Sequence, residues 1–228
     1  MDLETIEIET APDCGASVIV LHGLGADGND FVQVARELDL AGCGPVRFVF
    51  PHAPSRPVTI NGGYVMRAWY DILAASFDSP AQREDEAGLR ASQALVEALV
   101  AREKQRGVPA GRIVLAGFSQ GCAMTLMTGL RHDERLAGLV GLSGYLPLAA
   151  KAEAERHAAN RDVPVFLAHG TSDPVIPLSR ARQSRDVLVG LGHAVEWHEY
   201  PMAHSVCAAE IVDLGRWLRR TLADRHQG

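Results

Sequence analysis

The stretch GFSQG at residues 117–121 constrains the fold of this chain more than any other part of its sequence. It directly follows the apolar run 113–116, which indicates a buried strand, and directly precedes a helical pattern that reaches about residue 130. A serine in this setting is typical of a sharp strand-to-helix turn that exposes the hydroxyl on a strained backbone. Glycines two residues before and after it remove side chains that would collide in the turn. The pattern favours Ser119 as a nucleophile, and the alternative is an ordinary glycine-flanked turn serine.

The rest of the chain repeats this alternation of strand and helix. Short apolar runs separate longer segments with helical spacing, which predicts an α/β fold with a mostly parallel central sheet and helices on both faces. Residues 2–10 alternate apolar and acidic side chains and predict an exposed edge strand that forms a hairpin, and Asp30 is placed to cap a helix that begins at Phe31. Because 228 residues suit one folding unit, we expect a single domain spanning residues 1–228. The predicted strands are 16–21, 46–50, 113–116, 137–142, 163–168 and 194–200, and the other predicted helices are 83–105, 119–130, 178–190 and 208–223.

The sequence HGLG at residues 22–25 follows the first of these apolar strands. A nucleophilic serine that attacks a carbonyl needs two backbone N–H donors for the charge that develops on the oxygen. We expect Gln120, which follows the nucleophile, to supply one donor and Leu24 to supply the other, because the glycines beside Leu24 let its backbone approach closely. The alternative is a plain glycine turn. His22 is expected to be structural.

Two further loops carry an acid and a base. Asp173 lies in HGTSDP (169–174) and His204 in PMAHS (201–205), each just past the end of a predicted strand, where α/β sheets collect functional residues. A carboxylate at this place can orient a histidine that acts as the general base. The order Ser119, Asp173, His204 is that of the α/β-hydrolase type. The alternative for Asp173 is a structural role, because Ser-Asp-Pro is also a common turn sequence. His204 is favoured as the base because none of the other eight histidines lies both in such a loop and at the right place in the order serine, acid, histidine.

Composition excludes several other functions. The net charge of −6 and the lack of basic runs argue against a nucleic-acid partner and against stable membrane association. The N-terminal residues do not have the pattern of a signal peptide, and no apolar stretch is long enough for a membrane helix. The four cysteines are scattered without metal-like pairing, so we expect reduced thiols, a cytoplasmic location and no metal or other cofactor.

Several segments together resemble the bacterial carboxylesterase/phospholipase family, whose eukaryotic relatives are the acyl-protein thioesterases. The resemblance implies an α/β-hydrolase core without a large cap domain, with Ser119, Asp173 and His204 as the triad and Leu24 and Gln120 as oxyanion donors. It also implies hydrolysis of short- to medium-chain carboxylic esters, no metal, and a homodimer as in several members. Cys122 departs from a glycine common in the family, and we expect it to be tolerated as packing. The segments are LHGLGADGNDF (21–31), FPHAP (50–54), AWYD (68–71), GFSQG (117–121), LSGYLP (142–147), HGTSDPVIP (169–177) and YPMAHSV (200–206).

These observations predict a serine carboxylesterase that acts on a small-molecule ester through an acyl-serine intermediate. An acyl-protein thioesterase or a lysophospholipase would share every catalytic residue, and a non-catalytic binding module on a hydrolase scaffold is a third alternative. The substrate-binding residues are less constrained, because residues 61–80 have no clean period and suggest a loop or short strands over the core. There, Trp69, Met66 and Ile72 form either an acyl-binding wall or ordinary core.

Overall fold

The computed structural model describes residues 3–73 and 84–223. Within them, the strands and helices follow the predicted alternation closely. The strands are β1 (Thr5–Glu9), β2 (Ala16–Leu21), β3 (Val46–Pro51), β4 (Ser55–Val58), β5 (Tyr64–Arg67), β6 (Ile113–Phe118), β7 (Gly138–Leu142), β8 (Val165–Gly170) and β9 (Val195–Tyr200). The helices are α1 (Val32–Glu37), α2 (Glu86–Gln105), α3 (Gln120–Arg131), α4 (Ala149–Glu155), α5 (Leu178–Gly190) and α6 (Ala208–Leu222).

Seven strands form one sheet in the order β1-β3-β2-β6-β7-β8-β9. All neighbours pair in parallel except β1, which lies antiparallel to β3 at one edge. The central strands are buried almost throughout, because helices cover both of their faces. The alternating β1 is only half-buried, as expected of an edge strand, but it pairs with β3 and not with the next strand β2, so the expected hairpin is wrong. The α/β-hydrolase fold with a mostly parallel sheet is thus confirmed, and β4 and β5 form a separate hairpin.

Helices pack on both faces of the sheet. Side chains of α2 and α3 share one apolar core with one face, and side chains of α1 and α6 share a second core with the other. Helix α3 is buried along nearly its whole length, since it lies between the sheet and α2. The connection from β7 to β8 carries only the seven-residue α4, which leaves that connection without a large cap. In residues 3–73 and 84–223, no helix is long and apolar enough to cross a bilayer.

Three local expectations differ from the structure. Helix α1 begins at Val32 and receives no side-chain cap, because successive turns at residues 27–31 precede it and Asp30 lies within them. Helix α2 begins at Glu86, where the carboxylate of Asp85 accepts a hydrogen bond from the Gly88 amide; position 83 of the predicted helix lies outside the described residues. Strand β5 lies in the stretch 61–80, where a loop or short strands were expected, whereas β4 and α4 were not predicted, since their short segments show no clear period.

A buried ion cluster holds α2 against the sheet. The carboxylate of Glu103 has no exposed surface and accepts hydrogen bonds from Ser17 Oγ (2.7 Å), Arg47 Nη1 (2.9 Å) and Arg106 Nη1 (3.0 Å). Ser17 lies on β2 and Arg47 on β3, so one helical side chain ties two neighbouring strands. The three donors offset the cost of removing the carboxylate from water.

Replacing Glu103 by Ala is expected to lower the free energy of unfolding by about 3–5 kcal/mol, because it leaves the Arg47 guanidinium buried without this partner. Urea unfolding measures the effect. The matched control is Glu134→Ala, which removes an exposed carboxylate paired with Lys104 and should cost about 1 kcal/mol or less. Equal losses in the two variants would contradict the assignment of Glu103 as an anchor of α2.

Candidate active site

Ser119 lies at the sharp turn between β6 and α3. Its backbone has φ 56° and ψ −116°, a conformation that L side chains rarely adopt, and its amide donates to the Leu142 carbonyl at 2.9 Å. A Cβ on Gly117 would overlap the carbonyl of Gly121, and one on Gly121 would overlap the carbonyl of Leu21. Both glycines are therefore required by the close approach of backbone segments, as the GFSQG pattern predicted.

A chain of hydrogen bonds joins Ser119 to His204 and Asp173. Ser119 Oγ lies 2.9 Å from His204 Nε2, and His204 Nδ1 lies 2.7 Å from Asp173 Oδ2. A carboxylate only accepts, so Nδ1 carries the imidazole proton and Nε2 accepts from the serine hydroxyl. The Asp173 side chain is fully buried, whereas that of His204 is 17% exposed. The structure brings together the three side chains that the sequence singled out, in the geometry of a nucleophile, a base and an orienting acid.

The loop after β8 fixes the Asp173 carboxylate. Its Oδ1 accepts hydrogen bonds from the amides of Val175 (2.8 Å) and Ile176 (2.9 Å), which leaves Oδ2 for His204. His169, also buried, places its Nε2 2.9 Å from the Ile176 carbonyl and 3.4 Å from Asp173 Oδ2. Burial lowers the pKa of His169 and favours its neutral form. Asp173 is thus held from several sides before any substrate binds.

The two expected oxyanion donors flank Ser119. Gln120 is the first residue of α3, so its amide has no partner within the helix, and the positive end of the helix dipole lies at the same place. The loop that carries Leu24 passes against Ser119: a Cβ on Gly23 would lie 3.3 Å from the serine Cβ. The Leu24 amide donates no hydrogen bond to any of the described residues.

His22 is structural, as expected. It is buried, its Nδ1 lies 2.7 Å from the Gly23 carbonyl, and its Nε2 accepts from the Ala53 amide at 3.0 Å. An acceptor at Nε2 requires the proton on Nδ1. Burial lowers the pKa of His22, so the ring is neutral at physiological pH and braces the loop that leads to Leu24.

A cavity of about 350 Å³ opens above Ser119. Six of its twelve lining side chains are apolar, and its polar side includes two phenols whose hydroxyls lie 3.1 Å apart, those of Tyr70 and Tyr145. Burial raises the pKa of Tyr145 to about 12 and also raises that of Tyr70, so both are neutral. A cavity of this size whose surface is largely apolar suits an acyl chain. Its lining residues are Gly23, Leu24, Ala26, Asp30, Tyr70, Ile72, Phe118, Ser119, Gln120, Tyr145, Val175, Ile176 and His204.

Of the three residues expected to form an acyl-binding wall, Ile72 lines this cavity and Trp69 and Met66 do not. The Trp69 ring is fully buried, because its Nε1–H donates to the His22 carbonyl and turns the ring into the core. Met66 lies on β5 beside Gly25, next to the oxyanion loop. Trp69 thus matches the alternative, ordinary core, and neither Trp69 nor Met66 forms a wall of this cavity.

Sequence reasoning did not single out several residues of the cavity. Phe118 directly precedes the nucleophile, and Val175 and Ile176 directly follow the acid loop, so adjacency to a motif was the available signal. Tyr70 and Tyr145 are 75 residues apart in the chain, and nothing in the sequence indicates that they meet.

Comparisons with known proteins find relatives over nearly the whole chain. The model of the phospholipase/carboxylesterase family matches residues 4–222. Acyl-protein thioesterase 1 of Yarrowia lipolytica is 41% identical over 213 residues, 92% of this chain and 93% of that protein. Acyl-protein thioesterase 1 of Neurospora crassa is 42% identical over 207 residues, 86% of this chain and 82% of that protein. The crystal structure of Zea mays acyl-protein thioesterase 2 superposes with a TM-score of 0.83 at 28% identity, covering 96% of this chain and 99% of that one.

The fold and the family match define a serine hydrolase of the α/β-hydrolase type. The chain belongs to the phospholipase/carboxylesterase family. The expected family is thereby confirmed, but these curated relatives are fungal and do not support a specifically bacterial affiliation.

Replacing Gly121 by Ala is expected to reduce kcat by at least 10-fold, because the new Cβ overlaps the Leu21 carbonyl and pushes the start of α3 away from the Leu24 loop. Ester hydrolysis and the Tm are measured together. Gly190→Ala is the matched control, since a Cβ there meets nothing within 4 Å. Wild-type kcat in the Gly121 variant would show that this close approach is not needed for the site.

A second buried carboxyl lies just beyond the His204 loop. Glu210 is in the first turn of α6 with no exposed surface, and no side chain among the described residues donates a hydrogen bond to its carboxylate. Burial raises the pKa of Glu210 from its ordinary value near 4.5 to about 8. The folded protein therefore holds a proton between these pH values that the unfolded chain releases.

This proton makes Glu210 a source of pH-dependent stability. As pH rises from about 5 to 8, its contribution falls by at most about 1.4 kcal/mol per pH unit, because the unfolded state binds fewer protons. Glu210→Gln removes this effect, so its Tm relative to wild type should increase between pH 5 and pH 8. Glu153→Gln, which changes an exposed carboxylate on α4, is the control. A Tm difference that stays constant with pH for Glu210→Gln would contradict the raised pKa.

Proposed function

We propose that the protein hydrolyses acyl thioesters, such as an S-acylated cysteine, through an acyl intermediate on Ser119. The observation that carries the proposal is the hydrogen-bonded chain Ser119–His204–Asp173 at the floor of a largely apolar cavity. An acyl chain fits such a cavity, and the reacting carbonyl would then lie at the serine hydroxyl. The two fungal relatives named acyl-protein thioesterase 1 support the choice of a thioester over other acyl compounds.

In the first half of the reaction, Ser119 Oγ attacks the carbonyl carbon while His204 Nε2 takes the hydroxyl proton. Asp173 stabilises the imidazolium that forms, without itself taking the proton. The amides of Leu24 and Gln120 donate to the oxyanion, and each such donor is commonly worth about 3 kcal/mol in the barrier. His204 then gives its proton to the leaving sulfur as the C–S bond breaks.

The second half regenerates the enzyme. Water replaces the thiol, gives a proton to His204 Nε2 and attacks the acyl carbon, and the same two amides bind the new oxyanion. The carboxylic acid leaves and Ser119 recovers its proton. An oxygen ester follows the same steps with an alcohol as the leaving group, so the machinery alone does not separate the two substrates.

A carboxylesterase for short- to medium-chain esters is the second candidate. The cavity volume favours it, since about 350 Å³ is near the lower end for small-molecule sites.

Paired substrates distinguish the candidates. Acyl thioesters and oxygen esters with the same acyl groups, from acetyl to palmitoyl, are compared by kcat/KM for the wild type and for Ser119→Ala. We expect thioester turnover to equal or exceed ester turnover at the preferred length, and the Ser119 variant to lose at least 10⁴-fold on both, because the nucleophile is gone. Ester turnover with thioester turnover at the level of Ser119→Ala would favour the carboxylesterase. Equal turnover by both proteins would refute the acyl-serine mechanism.

A further inference from the structure

Trp69 contacts both backbone segments that carry the expected oxyanion donors. Its amide donates to Gln120 Oε1 at 2.9 Å, and its indole Nε1–H donates to the His22 carbonyl at 2.9 Å. Gln120 is expected to supply one oxyanion amide, and His22 lies two residues before Leu24, which is expected to supply the other. One fully buried residue therefore bridges the start of α3 and the loop after β2.

Further contacts make the bridge rigid. Gln120 Nε2 donates to the Tyr70 carbonyl at 2.8 Å, so its side-chain amide binds the chain on both sides of the Trp69–Tyr70 peptide bond. Ser92 Oγ on α2 donates to the Trp69 carbonyl. The indole also packs at a tilt against the His22 imidazole, with 5.5 Å between ring centroids. The main-chain N–H and carbonyl of Trp69 and its indole N–H thus all form hydrogen bonds within the protein.

The loop after β2 needs such support. Gly23 and Gly25 flank Leu24, and Gly25 has φ +75°, so the local backbone has more conformational freedom than most sequences allow. Oxyanion donors are effective only when they are already aimed at the place where charge develops. Bonds to His22 and Gln120 fix the two donors relative to each other.

We propose that Trp69 is a positioning residue that sets the separation of the Leu24 and Gln120 amides. This inference rests on the proposed acyl-transfer function and adds a determinant of its rate. Trp69 does not line the cavity, so it acts on the transition state through the two amides and not on the bound acyl chain. Losing it should lower kcat and leave KM nearly unchanged.

The test is Trp69→Phe, which removes the indole N–H and keeps an aromatic ring in the core. We expect kcat to fall about 10- to 100-fold with KM within 2-fold, because one oxyanion donor is worth about 10²- to 10³-fold and here the donors are displaced and not removed. Binding of a trifluoromethyl ketone, which forms an oxyanion on Ser119, should weaken by a similar factor. Trp217→Phe is the matched control: this buried Trp packs against Phe166 on the opposite face of the sheet, so its loss should lower the Tm and leave kcat unchanged.

Gln120→Leu provides a second variant in case Trp69→Phe does not fold. It keeps the backbone amide of residue 120 and removes both side-chain bonds to residues 69 and 70, so the same kcat defect is expected. A folded variant with wild-type kcat would overturn the inference, and so would a raised KM at constant kcat, which would make Trp69 part of the substrate wall. Failure of the proposed function is distinct, since the wild type itself would then show no turnover above Ser119→Ala.

Discussion

The start of α3 lies so close to the end of β2 that a Cβ on Gly121 would overlap the Leu21 carbonyl. This approach is made by two neighbouring parallel strands, because β2 and β6 pair directly and their carboxyl ends meet at one edge of the sheet. It places the Leu24 loop beside the first turn of α3, with Ser119 between them. The expected pairing of two backbone donors with the Ser119 nucleophile depends on this contact, and a side chain at position 121 would separate the two segments.

The Asp173–His204 half of the site depends on a buried carboxylate. The Asp173 carboxylate is fully buried, and two backbone amides and the His204 imidazole donate to it. Charge-assisted hydrogen bonds of this kind offset the cost of desolvation and fix the acceptor. The fixed carboxylate in turn selects the His204 tautomer, so the base faces Ser119 before a substrate arrives. The two loops follow strands β8 and β9, which pair in parallel. Their carboxyl ends therefore meet at the same edge of the sheet as those of β2 and β6.

Much of this arrangement could be predicted from the sequence, because it is local. The fold follows from the alternation of apolar runs with helical patterns, and the positions of Ser119, Asp173 and His204 follow from glycine spacing and strand ends. Contacts between distant segments could not be predicted: the pairing of Tyr70 with Tyr145, and the turn of Trp69 away from the cavity toward His22, depend on packing in three dimensions. The homodimer, the single-domain organisation and the cytoplasmic location stay predictions.

The central claim is that an acyl group is carried on Ser119, and intact-protein mass spectrometry of an acid-quenched reaction tests it most directly. During turnover of a thioester, the account predicts a species heavier by one acyl group, with the added mass on the peptide that contains Ser119 and absent from Ser119→Ala. Steady hydrolysis with no such adduct, or an adduct on another residue that persists in the variant, would contradict it.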